Sequence, residues 1–453
     1  MTQVQQSHTI PRTRELPLIG SVIALNKDRL GFLAHMASLG KVSGFHMGPF
    51  NVVVFNDPHF IHSFLVDHAD DFDKGWSMHR AFVGNGLFIS EGAFHAKQRK
   101  IVAPSFQPRQ VASYADIMAM YGEKLAESWR DGEQIALGKA MNAVTMSIIG
   151  KTLFDEDMFS EADDLGKALL VVFNHAAYMV TSPFSLPGDW PTPRNREKDR
   201  AWETIRGRLQ VMIDARRAHS VERNDFLSLL MNARDEDGQP MDDVQLMDEA
   251  STLFSGGQET VANALVWTWW LLAQHPDIYQ AMQEEVDCVL QGHSPTLNDL
   301  QQLPLCLQVF KESMRLYPSA PVVIRQALRD CVITSDQNRE EQYFLKKGTV
   351  AMASIYAIHH LASLYPDPES FDPVRHFAPE SEKRLPRYGF VPFGAGPRIC
   401  IGNHFAMMEG HMLVATLAQR VTLELLPGQN IVPSSKTLTT RPATEIRMIV
   451  HHR

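Results

Sequence analysis

Cysteine is scarce in this chain of 453 residues, which contains only Cys288, Cys306, Cys331 and Cys400. No two of them have CxxC spacing, and the polar residues 1–15 resemble neither a secretory signal peptide nor a membrane anchor. A disulfide framework or a structural zinc site is therefore not expected. We predict a reduced protein of the cytoplasm.

Long hydrophobic runs and an excess of positive charge are also missing. No apolar run approaches the roughly 20 residues that a membrane-spanning helix needs, so no membrane span is expected. Lys and Arg number 43 against 52 Asp and Glu, and the resulting net charge of −9 argues against a general nucleic-acid binder. The 44% of hydrophobic residues can bury a large core, which excludes a mainly disordered or fibrous protein.

Internal repeats, low-complexity segments and long linkers rich in Pro, Gly or Ser are absent too. We therefore predict a polar tail over residues 1–15 and one domain over residues 16–453. Residues 183–193 hold four prolines, which predicts a loop, and the charged run 194–217 predicts that a helix follows. A loop between two long helices can be a lid over a binding site or an ordinary surface connection.

Helical spacing of apolar residues dominates the chain up to about residue 317. The longest uninterrupted helical pattern covers residues 242–273, and a helix of that length would cross the whole domain. A helix this long is normally central. The first two thirds of the chain therefore predict a helical body around one long helix.

Strand patterns lie near both ends of the chain. The β-prone runs 42–47 and 51–55 predict a hairpin, and three short runs between residues 322 and 345 predict a second strand region. A weak alternation over residues 438–450 predicts a return to sheet. The predicted fold class is mainly α, a helix-dominated α+β fold with small sheets drawn from both ends.

The most informative stretch covers residues 393–402, which read Phe-Gly-Ala-Gly-Pro-Arg-Ile-Cys-Ile-Gly and precede a helical pattern. Two glycines make a loop that can bring backbone N–H groups close to Cys400. These donors and the positive end of the following helix favour thiolate over thiol. Such a thiolate can be a nucleophile, a redox sensor or a metal ligand, while a single cysteine can also be a small buried apolar residue.

This stretch matches every fixed position of Phe-x-x-Gly-x-Arg-x-Cys-x-Gly, and it resembles the heme-binding signature of the cytochrome P450 superfamily. The resemblance implies a soluble, bacterial-type member that binds heme b. It implies that Cys400 is the axial thiolate ligand of the iron, that Phe393 packs on the sulfur side, and that Arg398 pairs with a heme propionate. It also implies the cytochrome P450 fold, a helix-rich triangular domain with a long central helix over the heme.

Two further stretches resemble the family's structural ion network. Glu312 and Arg315 match its Glu-x-x-Arg motif, and residues three apart on a helix share a face. Arg375, in Phe371 to Phe377, is similar to the third member of that network. The alternative for Glu312 and Arg315 is a solvated pair on a helix surface, and the resemblance favours the buried network.

Gly256-Gly257-Gln258-Glu259-Thr260 in the long helix resembles the family's oxygen-activation motif. Gly256 and Thr260 lie on one face, and the Thr260 hydroxyl can bond back to the Gly256 carbonyl and open a polar niche. The resemblance implies that Thr260 stabilises the activated oxygen and helps deliver protons, and that Glu259 relays protons from solvent. The alternative for the helical glycine pair is tight helix packing. Val261 stands where many relatives carry Thr or Ser.

Three residues lie at positions similar to those that bind the heme propionates in this family. His95 and Arg99 lie four apart on one predicted helix face, and Arg325 matches another propionate-binding position. A lone His on a helix can also be a surface or core residue.

Pocket positions follow where the motifs fix the alignment. By resemblance the substrate pocket contains Phe88, Phe254, Gly256, Ala320, Val322 and Leu438. All are apolar, so the substrate is expected to be hydrophobic, although several of these residues can equally be plain core. Parts of the chain look like bacterial members that oxidise fatty acids or compounds resembling terpenoids or polyketides.

The resemblance implies a monooxygenase that uses O2 to hydroxylate or epoxidise its substrate. The segment after Cys400 is too short for a fused reductase, so electrons are expected from a separate ferredoxin- or flavodoxin-type donor and its reductase. Lys97, Lys100, Arg384 and Arg387 could form a basic docking patch. Within enzymes, the alternative is a peroxide-driven peroxygenase; outside them, it is a heme sensor or carrier. Retention of Glu259 and Thr260 disfavours both alternatives.

Overall fold

The computed structural model describes residues 8–75, 84–182, 186–218, 225–234, 238–335 and 341–453. Its first nine α-helices are α1 Val22–Lys27, α2 Arg29–Ser38, α3 Pro58–His62, α4 Gly92–Val102, α5 Pro108–Ala112, α6 Ala115–Glu127, α7 Leu137–Phe154, α8 Ala162–Thr181 and α9 Pro193–Ala218. The next eight are α10 Phe226–Asn232, α11 Asp243–Gln274, α12 Pro276–Leu290, α13 Pro304–Leu316, α14 Ile355–His359, α15 Pro373–Phe377, α16 Pro379–Glu382 and α17 Asn403–Arg420. The strands are β1 Val42–Met47, β2 Phe50–Phe55, β3 Phe72–Asp73, β4 Gln134–Ala136, β5 Val322–Ala327, β6 Cys331–Thr334, β7 Gln342–Leu345, β8 Val350–Ser354, β9 Val421–Leu425 and β10 Arg447–His452.

The central helix α11 begins after Asp242, whose side chain accepts a hydrogen bond from the Gln245 N–H at 2.8 Å. It ends before His275, and Pro276 starts the next helix. With 32 residues it is about 48 Å long, at 1.5 Å per residue. It packs against α7, α9, α13 and α17. The predicted long helix is confirmed, and it is shifted by one residue at each end.

The largest sheet has the strand order β1-β2-β8-β5-β3. β1 and β2 form the predicted hairpin, but Phe50 already pairs with Met47, so the connection is Gly48 and Pro49. β2 runs parallel to β8, and β5 runs antiparallel to β8. Smaller sheets have the order β4-β10-β9 and β6-β7. The predicted strands between residues 322 and 345 are confirmed as β5, β6 and β7.

The carboxyl-terminal segment differs from the prediction, because only residues 447–452 of the last stretch form a strand. Residues 434–441, here called the C-terminal loop, send their hydrogen bonds elsewhere. The Trp267 indole N–H in α11 donates to the Thr440 carbonyl at 3.0 Å, and the Thr440 N–H donates to the Ser319 carbonyl at 3.0 Å. With its backbone groups bonded in this way, the loop joins none of the three sheets, and its ends pair with each other through the Ser434 N–H, which donates to the Arg441 carbonyl at 2.7 Å.

The amino-terminal residues are joined to the first sheet along the part of the predicted tail that the structure describes. The Gly44 N–H donates to the Pro11 carbonyl at 2.9 Å, and the ring nitrogen Nδ1 of His46 lies 2.7 Å from the Glu15 carboxylate. These contacts fix residues 11–15 against β1, so this segment is part of the folded body.

None of the described helices has the length and apolar character that crossing a lipid bilayer requires. The loop predicted over residues 183–193 lies partly outside the described residues. Its described part ends where α9 begins at Pro193, as the charged run 194–217 predicted. The Asn195 amide ties this part to the helix by donating to the carbonyls of Pro187 and Trp190 at 2.9 and 2.8 Å.

Candidate active site

The loop that carries Cys400 is shaped by its glycines. Gly396 has φ +71°, and a side chain at this position would clash with the Leu65 carbonyl, so only glycine fits. The Cys400 N–H donates to the Phe393 carbonyl at 3.0 Å, which closes the loop three residues before α17 begins. Cys400 is left exposed, and Phe393 is half-buried against the main core.

Part of the Cys400 surface is exposed to solvent, but many protein atoms surround its thiol group. Burial raises the pKa of the thiol, and the Gly402 N–H and the Arg99 guanidinium oppose this effect. The donors that the sequence analysis expected are therefore present, but they do not by themselves make a thiolate. Binding of a metal ion would do so, since a coordinating thiol loses its proton.

Four cationic side chains, Lys74, Arg99, Arg325 and Arg398, converge beside this loop together with His95. Burial and the neighbouring positive charges lower the pKa of His95 to about 4. Burial also lowers the pKa of Arg325 to about 10, and it lowers the pKa of Lys74 well below its ordinary value. So much positive charge in one buried place favours an anionic group.

Two carboxylates, those of Glu91 and Asp73, lie near Arg398. Its guanidinium pairs with Glu91 and donates to the Ser90 carbonyl at 2.5 Å. The backbone N–H of Lys74 donates to the same Glu91 carboxylate at 2.7 Å. Lys74 was missed in the sequence analysis, because nothing in its neighbourhood of the sequence marks a lysine that the fold buries.

The central helix opens toward solvent in its middle, although most of its residues are buried. Gly256 is exposed, and a Cβ atom placed there would meet no atom within 4 Å. The Thr260 hydroxyl donates to the Gly256 carbonyl at 3.1 Å, as predicted. A Cβ on Gly257, by contrast, would lie 2.6 Å from Cδ1 of Ile149. Both expectations for the glycine pair are met: Gly257 permits tight packing against α7, and Gly256 borders open space.

Glu259 lies on the same helix but is 7% exposed. Its Oε1 accepts a hydrogen bond from the Thr439 hydroxyl at 2.7 Å, and its Oε2 has no hydrogen-bond partner within the described part of the chain. Burial raises the pKa of this carboxyl group, while Thr439 and the Arg441 guanidinium oppose the rise. Glu259 is thus held by the C-terminal loop and does not lie open to solvent.

The wall next to Thr260 comes from the segment after α13. The Ser319 hydroxyl donates to the Thr260 carbonyl at 2.7 Å, which places Ala320 and Val322 beside the open part of the central helix. Ala320 is exposed and Val322 is half-buried. Val323 approaches the cysteine loop, with its Cγ2 3.7 Å from where a Cβ of Gly394 would be. This segment therefore spans from the central helix to the cysteine loop.

A small apolar cluster extends this wall. It joins Ala176, Met179 and Val180 of α8 to Ile324 of β5 and Leu438 of the C-terminal loop. Phe88 is 43% exposed and lies beneath the Lys74 ammonium, 4.4 Å from its ring centre.

Phe254 is not a pocket residue, contrary to the sequence prediction. It is 1% exposed, and its ring contacts Phe154 of α7 edge-on at 6.2 Å. Phe254 is two residues before Gly256, so it points away from the open face of the helix. It belongs to the core.

The ion network is buried, as predicted, but one member differs. Arg315 donates to both oxygens of Glu312 at 2.8 Å, and both side chains are 0% exposed. The third member is His376, whose Nδ1 lies 2.9 Å from Glu312, and not Arg375. Arg375 is half-exposed and pairs with Asp367 and Asp372 on the surface. The short helix α15 turns His376 inward, and its neighbour Arg375 therefore points outward.

Arg315 also holds the chain around it. Its guanidinium donates to the carbonyls of His359, Pro368 and Ser370 at 2.9, 2.7 and 3.0 Å. Burial would raise the pKa of Glu312, but the hydrogen bonds from Arg315 and His376 outweigh it and hold that pKa below its ordinary value.

The chain matches the Cytochrome P450 family model over residues 10–449, and it therefore belongs to the cytochrome P450 family. It is 32% identical over 420 residues to cyclooctat-9-en-7-ol 5-monooxygenase of Streptomyces melanosporofaciens, covering 92% of this chain and 90% of the relative. It is 28% identical over 431 residues to pentalenene oxygenase of Streptomyces avermitilis, covering 94% of each. The solved structure of retinoic acid-bound cyanobacterial CYP120A1 superimposes with a TM-score of 0.85 at 26% identity, covering 99% of this chain and 100% of that one.

Membership makes the protein a heme-dependent monooxygenase with heme b as its cofactor. The residues present fit this group. One exposed cysteine lies on a loop that glycine shapes, four cations and His95 lie beside it, and the central helix has an open face. A heme needs one axial ligand from the protein, partners for two carboxylates and room above the iron.

Proposed function

We propose that this cytochrome P450 hydroxylates or epoxidises a terpenoid, with electrons from a separate ferredoxin- or flavodoxin-type donor. The observation that carries the substrate class is the apolar wall beside the open face of α11, which contains Ala320, Val322, Ile324 and Leu438. A lipophilic molecule gains free energy by leaving water for such a wall. Two relatives named above oxygenate terpenoids, which supports this class over fatty acids.

Heme, when bound, activates dioxygen, inserts one oxygen atom into the substrate and releases the other as water. Cys400 supplies the axial thiolate in our proposal, with Phe393 packed beside the loop that carries it. The cationic side chains of Lys74, Arg99, Arg325 and Arg398 hold the two propionates, together with His95. Burial makes each of these charges costly when unpaired, so the propionates stabilise the site as they bind.

Thr260 and Glu259 handle protons in this proposal. The Thr260 hydroxyl lies at the open face and can receive a proton at its oxygen while donating to the Gly256 carbonyl. Glu259 lies next to it, and its raised pKa means that it keeps a proton at a higher pH than an ordinary carboxyl group. An acid that keeps its proton in a dry site is suited to supplying it.

Turnover with purified holoprotein tests the function. Cyclic terpene alcohols and saturated fatty acids are offered as substrates, with NAD(P)H, a ferredoxin and its reductase, or with hydrogen peroxide alone. We expect a terpenoid to shift the heme spin state and to gain one oxygen atom only with the reductase system. Faster turnover with peroxide alone would instead favour the peroxygenase, and binding without turnover would favour the heme sensor.

Thr260→Ala tests the proton step. We expect normal heme content, but most reducing equivalents should appear as hydrogen peroxide instead of product. Thr268→Ala is the matched control, because the Thr268 hydroxyl makes the same bond back to the Ala264 carbonyl, at 2.8 Å, but in a fully buried part of the helix. Unchanged coupling in Thr260→Ala would contradict the assigned role.

The electron donor is proposed to be acidic. Lys97 and Lys100 are exposed on α4, the helix that carries Arg99 beside Cys400, and Arg384 and Arg387 are exposed on another segment. Charge attraction would guide an acidic iron–sulfur or flavin protein to this side. We expect the rate of first-electron transfer to fall as salt is added, because salt screens such attraction. A rate that does not depend on salt would contradict the proposal.

A further inference from the structure

The C-terminal loop is fixed to three separate parts of the protein. Arg29 of α2 donates to the carbonyls of Thr437 and Ser435, the latter at 2.7 Å. The Thr437 hydroxyl donates to the Thr439 carbonyl at 2.6 Å, inside the loop. The Thr440 carbonyl also accepts a bond from the Trp267 indole, and the Thr440 N–H donates to the Ser319 carbonyl, so the loop has little freedom at Thr439.

The Thr439 hydroxyl donates its hydrogen bond to Glu259. The two residues are 180 positions apart in the chain, and the oxygen atoms lie 2.7 Å apart in a buried place. The second carboxyl oxygen of Glu259 is buried and makes no hydrogen bond of normal geometry among the described residues, although the Asn263 amide, one turn further along α11, lies near the carboxyl group. Buried polar atoms are nearly always bonded, so an acid with a free oxygen at this place calls for an explanation.

The position of Glu259 on the helix supplies that explanation. Gly256 and Glu259 are three residues apart, and Gly256 and Thr260 are four apart, so all three lie toward one side of α11. The Glu259 side chain therefore leaves the helix on the side of the open niche at Gly256, and its carboxyl group is buried beneath the C-terminal loop. Among the described residues, the charged side chain near the Glu259 carboxyl group is Arg441 of the C-terminal loop. Its guanidinium donates a hydrogen bond to the Asn174 side chain of α8 at 3.0 Å.

We propose that Thr439 is a positioning residue for Glu259: its hydroxyl holds the carboxyl group at the edge of the niche, from where the free oxygen can hand a proton to Thr260. The Thr439 side chain is 7% exposed and its hydroxyl bonds to Glu259, so in this proposal it acts through Glu259. The inference rests on the proposed monooxygenase reaction, and it extends that reaction to a residue of the C-terminal loop.

An infrared titration of the oxidised, heme-bound protein tests the contact without turnover. The carboxyl C=O band of Glu259 is identified by its loss in Glu259→Gln. Thr439→Val should move this band to higher frequency and shift its titration midpoint to higher pH, because a hydroxyl that bonds to a carboxylate favours the charged form. Thr439→Ser should restore both. An unchanged band and midpoint in Thr439→Val would overturn the proposal.

Kinetics test the consequence. Thr439→Val should lower kcat several-fold and raise the solvent isotope effect, while KM and the Kd from the spin-state shift stay within twofold. Thr440→Val is the matched control, because the Thr440 hydroxyl is buried in the same loop and has no hydrogen-bond partner within the described residues. It should behave as the unmodified protein. A loss of kcat in Thr440→Val equal to that in Thr439→Val would show a general effect of the loop and overturn the proposal.

A double-mutant cycle completes the design. In the Glu259→Gln background, Thr439→Val should cause no further loss of kcat, since its effect passes through the carboxyl group. An equal loss in both backgrounds would overturn the proposal. If Thr439→Val binds less heme than the unmodified protein, the same measurements are made on Thr439→Ala, with Thr439→Ser as the variant that keeps the hydroxyl. Failure of the proposed function would appear as absent turnover in the unmodified protein, and the infrared result would still stand.

Discussion

Glu312 is a fully buried carboxyl group whose oxygens accept hydrogen bonds from Arg315 and lie within hydrogen-bond distance of His376. Taking such charges out of water costs several kcal/mol each, and only close pairing offsets it. Because Arg315 also bonds to three backbone carbonyls, the network fixes the chain around residues 359–370 as well as the charge. It is therefore a sensitive point of the molecule.

Removing members of this network should have graded effects. Arg315→Ala should cost about 3–5 kcal/mol of unfolding free energy and yield little heme-loaded protein, because it takes the bidentate cation from the buried Glu312 carboxylate and leaves His376 as its remaining side-chain partner among the described residues. His376→Ala should cost about 1–3 kcal/mol, the usual cost of a lost partner to a buried polar group. Arg375→Ala, the neighbouring control on the surface, should stay within about 1 kcal/mol. Denaturant unfolding and heme content measure all three, and a normal holoprotein yield from Arg315→Ala would contradict the network.

Sequence spacing was enough to pair Glu312 with Arg315, because both lie on one helix turn. It could not choose between Arg375 and His376, which are adjacent, since tertiary packing decides which of them points inward. Lys74 and Thr439 carried no sequence signal at all. Their partners are distant in the chain, and only the folded structure brings them together.

At the scale of elements, two adjacent glycines of the central helix lie in different surroundings. Gly257 touches Ile149 of α7, and Gly256 borders open space. Glycine in a helix lowers the unfolding free energy by about 1 kcal/mol relative to alanine, so each glycine needs a structural reason. At Gly257 the reason is close helix packing, and at Gly256 it is the space of the niche.

Alanine substitutions should separate these two roles. Gly256→Ala should raise the unfolding free energy by up to about 1 kcal/mol, because its Cβ enters open space and helix propensity improves. Gly257→Ala should lower it by about 1–3 kcal/mol through overpacking against Ile149, and Ile149→Val should relieve part of the loss by removing the Cδ1 atom. Thermal unfolding measures the signs. The same sign at both positions would contradict the account.

The amino-terminal part of α11 also holds the segment before α4. Glu249 is 0% exposed and accepts hydrogen bonds from the Leu87 N–H at 3.0 Å and the Gln245 amide at 2.8 Å. Next to it, Asp248 pairs with Arg206 of α9 and accepts the Asn85 N–H at 2.6 Å. Two adjacent acids thus join the central helix to α9 and to residues 85–87.

Glu249 should make stability depend on pH. Burial raises its pKa to about 7, although the Leu87 N–H and the Gln245 amide oppose the rise. A raised pKa in the folded protein means that its favourable contribution is complete below about pH 4 and is lost as the pH rises through about 7. Glu249→Gln should therefore lose less stability than the unmodified protein between pH 5 and about 8. Unfolding free energies across that range measure it, and identical pH profiles would contradict the assignment.

Periodicity predicted the long helix to within a residue at each end, because apolar spacing and the Asp242 cap are local signals. It failed over residues 438–446, where weak alternation suggested a strand. The Thr440 backbone bonds to Trp267 of α11 and to Ser319, while Arg441, Ala443 and Ile446 bond to Ser434, Val432 and Leu137, and no local pattern encodes these partners.

At the scale of the whole molecule, the fold brings distant segments to one site. The cysteine loop, the cations of α4 and β5, and the open face of α11 come from regions that are separated by more than 50 residues in the chain. The motif around Cys400 predicted the family, and the match over residues 10–449 confirms it. Nothing in the motif itself predicted which loop would hold Glu259.

The central claim is that Cys400 is the thiolate ligand of a heme in this site. The most direct test is the visible absorption spectrum of the reduced protein with carbon monoxide, before and after Cys400→Ser. We predict a strongly red-shifted Soret band that disappears in the variant. A band typical of histidine ligation, or the same red-shifted band in Cys400→Ser, would contradict the account.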